Sequence, residues 1–315
     1  MKRIDPHPDD LRAVLAVVET GAFGRAALTL GLSQPALSRR VMRAEAALGG
    51  ALLERGGHGA VPTSLGRDSL PALQRALRAF DDAVDAAREP RGGRRPQLSI
   101  ACIQTAAFAL MPGPLARLSR AIPEIRVRLL DLSAREGLRA LLRGECDLAV
   151  NILPTHEPDL QEEPLLDDPF RLVVPTGHRF AEQGQARWAE LRGERLIVAA
   201  RGAVNHGLVR GAIEEAHRGE PGQPRWWLEV SHLSTAIEFA GAGLGIAAVP
   251  ELALTGAWPN VTAVPLREPE VVRHVGLAWR RTSPLPPAAR RLAELLRDEA
   301  RRRHDSLRTG QCHVV

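Results

Sequence analysis

The chain has 315 residues, 44% of them hydrophobic and 25% charged. That is enough apolar material for two or three domains with cores of their own, and it excludes an intrinsically disordered or fibrous protein. The net charge of +5 suits a polyanionic partner, but Lys2 is the only lysine and arginine and alanine pervade the chain. The excess therefore reads as nucleotide-composition bias, and where the arginines sit matters more than how many there are.

In chain order, Asp9 or Asp10 is expected to cap a first helix whose Leu11, Val14, Leu15 and Val18 form an apolar stripe, ended by Gly21. A short helix over Arg25 to Leu30 follows. Gly31 can then close that helix in a left-handed conformation, Ser33 can accept from the first amides of the next, and Pro35 fits its first turn, which together make a tight helix-turn-helix. Leu37, Val41, Ala44 and Leu48 give the second of these helices one packing face, leaving Gln34, Ser38, Arg39, Met42 and Arg43 on or beside the other. Glycines 49 and 50 break it, and Ala51 to Thr63 reads as a two-stranded wing with Gly56, Gly57 and Gly59 in its turn. Small, amide and guanidinium groups at the start of an exposed helix suit a major groove. Arg39 and Arg43 are candidates for base or phosphate contact and Gln34 and Ser38 for base edges. Ser33 and Pro35 share the same helix start, and Arg55 and Thr63 suit the backbone.

The run VVETGAFGRAALTLGLSQPALSRRVMRAEAALGGALLERGGHGAVPTSLGR resembles the winged helix-turn-helix of the LysR-type transcriptional regulators almost position by position. The order of later elements resembles that family's effector-binding half. The resemblance implies a DNA-binding regulator with a linker-helix homodimer, tetramers being common in the family too, acting on partly palindromic double-stranded DNA under a small-molecule effector. The wing departs from the family pattern: His58 and Val61 stand where relatives commonly carry arginine, and Leu53 where they carry phenylalanine. A shallower salt dependence of binding is therefore expected. Ala44 replaces the family's usual leucine.

Between Gly66 and Glu89, Leu70, Leu73, Leu77, Phe80 and Val84 recur at alternating spacings of three and four, a heptad seam. It most simply calls for a second copy of the chain, making these the candidate dimerisation residues; the alternative is packing on the protein's own core. Pro71 falls in the first turn of this helix or forfeits a bond inside it. The segment PRGGRRP, residues 90–96, reads as a hinge.

Beyond the hinge the pattern changes to strands near Leu98 to Cys102, Ile125 to Leu129 and Asp147 to Ile152, alternating with helices over Leu110 to Ser119 and Ala134 to Arg143. That alternation marks a parallel α/β sheet. A second unit offers strands at Phe170 to Val174, Leu196 to Ala200, Trp226 to Val230 and Ile246 to Val249, with helices near Ala203 to Arg218 and Leu233 to Ala240. A strand from Val271 to Trp279 and a helix from Pro287 to Arg303 complete the chain. Periodicity alone also allows one long sheet. By resemblance the expected fold is an N-terminal winged helix-turn-helix, mainly α, with a long linker helix, then a two-lobed α/β effector domain like the periplasmic binding proteins. The expected divisions are 1–66, linker 67–89, hinge 90–96, lobe I from 97–166 and 272–303, lobe II from 167–271, and a tail 304–315.

Two facing lobes place a ligand at the carboxyl ends of their strands. Gln104, Thr105, Ser133 and Asn151 occupy those ends in the first lobe, and Ala200, Arg201, Gly202, Val204, Ser231 and His232 in the second. Thr105 aligns with a hydroxyl residue that the family places against its effector, whereas Ser133 also makes a good helix cap. This set favours an anionic metabolite, such as a carboxylate. A solute-binding α/β protein with an incidental helical N-terminus is the alternative.

GAGLGIAAVP precedes its strand and lacks dinucleotide-binding spacing, so it reads as a turn, and no serine or histidine motif assembles a nucleophile and base. No enzyme, metal or cofactor is expected. Cys102, Cys146 and Cys312 lack metal spacing and read as inert thiols in preference to a redox pair. Trp226 and Trp227 read as packing residues. No apolar leader stands at the N-terminus and no run approaches the roughly 18 residues of a membrane span, so a cytoplasmic location is expected.

Overall fold

The computed structural model describes residues 6–56, 59–88, 97–200, 203–218 and 225–308. His58, the hinge 90–96, Arg201, Gly202 and the end of the tail lie outside these. The chain forms two compact units and passes from the first to the second at Pro96–Gln97.

In the first unit, α1 (Pro8–Thr20) is capped by His7, whose ring accepts from the Asp9 N–H at 3.3 Å, so neither Asp9 nor Asp10 is the cap. Pro8 occupies the first helical position, where its missing N–H costs nothing. Helix α2 (Phe23–Thr29) and α3 (Gln34–Leu48) follow, joined through Gly31 at φ 63°. Ser33 accepts from the Ala36 N–H at 3.4 Å, and Gly49 ends α3 in the left-handed region at φ 82°. The wing pairs β1 (Leu53–Gly56) antiparallel to β2 (Gly59–Pro62). Gly59 sits at φ 128° with the Gly21 carbonyl where a Cβ would go, so only glycine lets the wing close onto the end of α1. Ala60 N–H then donates to that carbonyl at 2.8 Å.

Helix α4 (Ser64–Arg88) carries Pro71 inside it, past the first turn. The heptad seam divides in the structure. Leu70 and Leu77 are buried in the same core as Val14, Val17, Leu37 and Val41, with Leu73 packed against it. Phe80 is 46% exposed and Val84 half-buried. The three leucines meet the chain's own core, which the seam's spacing also allowed, and Phe80 and Val84 lie beyond it. Arg12 of α1, paired with Asp81, ties the two helices further along.

In the second unit the order is β3 (Gln97–Ile103), α5 (Gln104–Ala109), α6 (Pro112–Ala121), β4 (Arg126–Leu132), α7 (Ala134–Leu142) and β5 (Leu148–Leu153). A sixteen-residue strand follows, β6 (Leu160–Pro175), then α8 (Arg179–Gln183), β7 (Ala186–Arg187) and β8 (Arg195–Ala199). The chain ends with α9 (Val204–Ala216), β9 (Arg225–Val230), α10 (Leu233–Gly241), β10 (Ile246–Pro250), β11 (Val261–Arg267), β12 (Val272–Arg280) and α11 (Pro287–Arg308). The strand order is β4-β3-β5-β12-β6-β10-β8-β9, with β11 on β6 and β7 on β11.

Strand β6 belongs to both lobes. Residues up to Pro169 pair with β12, and residues from Phe170 onward pair with β10 and β11. The chain thus crosses between lobes twice, at Pro169–Phe170 and at Val271–Val272, where the Phe170 N–H donates to the Val271 carbonyl at 2.9 Å. Lobe I packs Leu98, Ile100, Leu118, Leu148 and Leu277 against Leu292 and Leu296 of α11. Lobe II has a cluster on each face of its sheet, because successive residues of β6 point opposite ways: Leu172 and Val174 join Trp188, and Val173 joins Ile237 and Val249.

The tryptophans expected to pack do so only partly. Strand β9 ends the sheet, leaving Trp226 37% and Trp227 48% exposed, with the Trp227 indole donating to the Leu244 carbonyl at 3.0 Å. No helix among the described residues is long and apolar enough to cross a membrane.

Candidate DNA-reading face and interlobe cleft

Helix α3 is buried along Leu37, Val41 and Ala44, while Gln34, Pro35, Arg39 and Met42 are exposed on the other side and Ser38 is half-buried. Ser33 is exposed but its hydroxyl serves the helix start. Arg43 is the candidate whose position differs most from the expectation of a free reading residue. Its Nε and Nη2 donate to Asp10 at 3.0 and 2.5 Å, and Asp10 is buried, so the pair locks α3 to α1. Arg40 adds a longer pairing to Asp9 at 3.6 Å. Glu45 accepts from the Leu52 and Leu53 N–H groups at 2.8 and 3.2 Å, which fixes where the wing begins relative to the reading helix. Thr63 also does structural work: its hydroxyl donates to the Ala51 carbonyl at 2.7 Å and accepts from the Gly66 N–H at 3.0 Å, capping α4. Arg55 lies on β1 opposite Ala60. Val61, 56% exposed, faces outward on the wing.

In the second unit the described effector candidates have different partners. Ser133 is held in a reciprocal cap with Glu136, its hydroxyl 2.6 Å from the carboxylate, and this hydrogen bond holds the Glu136 carboxyl below the usual carboxylate range. Asn151 is fully buried; its amide donates to the Ala134 carbonyl at 2.9 Å and accepts from the Ile152 N–H, fastening β5 to α7. Gln104 opens α5 and Val204 opens α9. Ala200 follows β8, half-buried, while Ser231 and His232 are exposed ahead of α10, and Arg201 and Gly202 fall outside the described residues.

Thr105 does enter a polar cluster, around two residues that sequence reading passed over. Arg273, at the start of β12, donates from Nε to Asp168 at 2.8 Å, from Nη2 to the Thr105 hydroxyl at 2.6 Å and from Nη1 to the Asn205 amide oxygen at 3.0 Å. Asp168 also accepts from the Leu252 N–H at 2.9 Å. The side chains of Arg273 and Asp168 are 2% and 0% exposed. Burial pushes the Asp168 carboxyl up, against the pull of Arg273 and of the Leu252 N–H. The cluster sits at the two crossings, where Arg273 and Asp168 face each other in register, and it joins α5 of lobe I to α9 of lobe II. The signal that could have found it is an arginine set among valines at a strand start, VVRHV.

Both described cysteines are buried, and burial pushes the Cys102 thiol far above its ordinary value. A thiol held protonated is a poor nucleophile.

The first unit is thus a winged helix-turn-helix with an outward-facing reading helix, and the second a two-lobed α/β binding domain with its polar cluster at the crossings. The family model "Bacterial regulatory helix-turn-helix protein, lysR family" matches residues 8–67, and "LysR substrate binding domain" matches residues 91–301. The chain belongs to the LysR family of transcriptional regulators: it is a DNA-binding regulator with an effector-binding domain, and not an enzyme. Among its relatives, the uncharacterized HTH-type transcriptional regulator YbhD of Escherichia coli is 31% identical over 91% of this chain and 89% of its own. A full-length OxyR variant from Pseudomonas aeruginosa superposes with a TM-score of 0.65 at 26% identity, covering 92% of this chain and 94% of that one. Full-length CbnR, solved with its target DNA, has the same fold, with a TM-score of 0.61 at 24% identity over 93% and 99% of the two chains.

Proposed function

We propose that this regulator reads operator DNA with Gln34, Ser38 and Arg39 at the start of α3 and steadies itself on phosphates through the wing, including Arg55. It acts as a homodimer, or a tetramer built from dimers, in the cytoplasm. The supporting observation is the division of α3 into a buried seat and an exposed face that begins at the helix N-terminus, the geometry by which a recognition helix enters a major groove. Arg43 contributes by holding α3 at its angle to α1, through Asp10. The effector is a small anionic metabolite lodged between the lobes beside Thr105, where a guanidinium and a hydroxyl already meet.

The direct experiment is to select fragments of the source genome with purified protein and measure affinity for the recovered site. Replacing Arg39 with alanine is expected to cost about 1–3 kcal/mol on that site and much less on unrelated DNA. Equal losses on both would assign Arg39 to phosphate contact. The wing gives a second expectation. Val61→Arg should steepen the slope of log affinity against log salt by about 0.9 if the new cation reaches a phosphate. An unchanged slope would place Val61 away from the DNA.

A further inference from the structure

Arg273 is 168 residues from Thr105 and 68 from Asn205 in sequence, yet one guanidinium holds both, one on each lobe. We propose that Arg273 is a latch between the lobes, fixed at its base by Asp168 and released at its tip when an acceptor group of the effector replaces the Asn205 amide oxygen. This rests on the reading above that an effector enters the cleft.

The three bonds differ in a way that selects which one opens. The base is immobile, since Asp168 is fully buried, bonded to Arg273 and held by the Leu252 N–H. Thr105 is buried too. Asn205 is the half-buried partner, in the first turn of α9, and it offers a neutral oxygen at the longest of the three distances. A carboxylate brings a full negative charge to the guanidinium where the amide oxygen brings only a dipole, so an anionic ligand can take the Nη1 position from Asn205. The exchange leaves Arg273 paired throughout and frees the start of α9. The guanidinium reaches each partner from a different nitrogen, Nε, Nη1 and Nη2, a spread that the single nitrogen of a lysine would not reproduce.

Hydrogen–deuterium exchange on the full-length protein tests this without knowing the effector. In Asn205→Ala, and separately in Thr105→Val, exchange at the starts of both α5 and α9 should rise by about tenfold, since cutting the bridge at either end releases both lobes. The double variant should show no further rise. Faster exchange confined to the helix carrying the substitution, or no change in either helix, would overturn the latch. If Asn205→Ala does not fold, Asn205→Asp gives the opposite sign: a carboxylate tightens the bridge and slows exchange at α5, and unchanged or faster exchange there refutes the proposal. Local-only effects in a protein whose wild type still selects genomic DNA would remove the latch and leave the regulator intact.

Discussion

Asp168→Ala is expected to destabilise the effector domain by about 3–5 kcal/mol, read as a lowered urea midpoint for that domain's transition. The loss comes less from the missing attraction than from what remains. Arg273 would keep its charge in a site where 2% of its side chain meets solvent, with only the neutral oxygens of Thr105 and Asn205 to bond, and the Leu252 N–H would lose its acceptor. Two controls separate this from simple loss of packing. Asp168→Asn keeps the volume and one acceptor, so it should fall between wild type and alanine. A double Asp168→Leu, Arg273→Met variant removes both charges and should recover much of the stability that Asp168→Ala loses, as buried pairs replaced by apolar groups often do. If the double variant is less stable than the single, the unpaired guanidinium is not the cause.

The second large effect lies in the other unit. Val14 is fully buried in the core formed by α1, α3 and α4. Val14→Asp removes its packing and places a carboxylate there with no described cation in that apolar cluster, a combined cost above about 4 kcal/mol, comparable with the whole stability of a small module. Calorimetry should lose the transition of the DNA-binding unit and keep that of the effector domain, and affinity should fall for all DNA alike. A variant that melts normally and merely prefers a different sequence would contradict this account of the core.

These outcomes follow features that differed in how legible they were. The turn at Gly31, the Ser33 cap and the Gly49 stop could be read from the chain because each depends on a neighbour within a few residues. Helix α5, at six residues, is too short to show a period, and the first half of β6, LQEEPLLDDP, carries four acids and two prolines over a stretch that nonetheless forms a strand. It does so because β12 supplies its partner from more than a hundred residues away. The same distance hid Asp168 and Arg273, whose meaning lies in their pairing. Arg43 was half legible: helical periodicity puts it beside the reading face, where it is exposed, but only the fold reveals Asp10 within reach. For Leu70 and Leu77, heptad spacing is equally satisfied by a second chain or by the chain's own α1 and α3, and spacing alone does not choose.

Strand β6 has a consequence for how the sensor recovers. It is gripped by hydrogen-bond ladders in one sheet before Pro169 and in another after it, and proline itself donates nothing to either. If the lobes turn against each other, as an effector lodged between them would require, this one strand must twist across Pro169–Phe170, and its two ladders are expected to return it when the effector leaves.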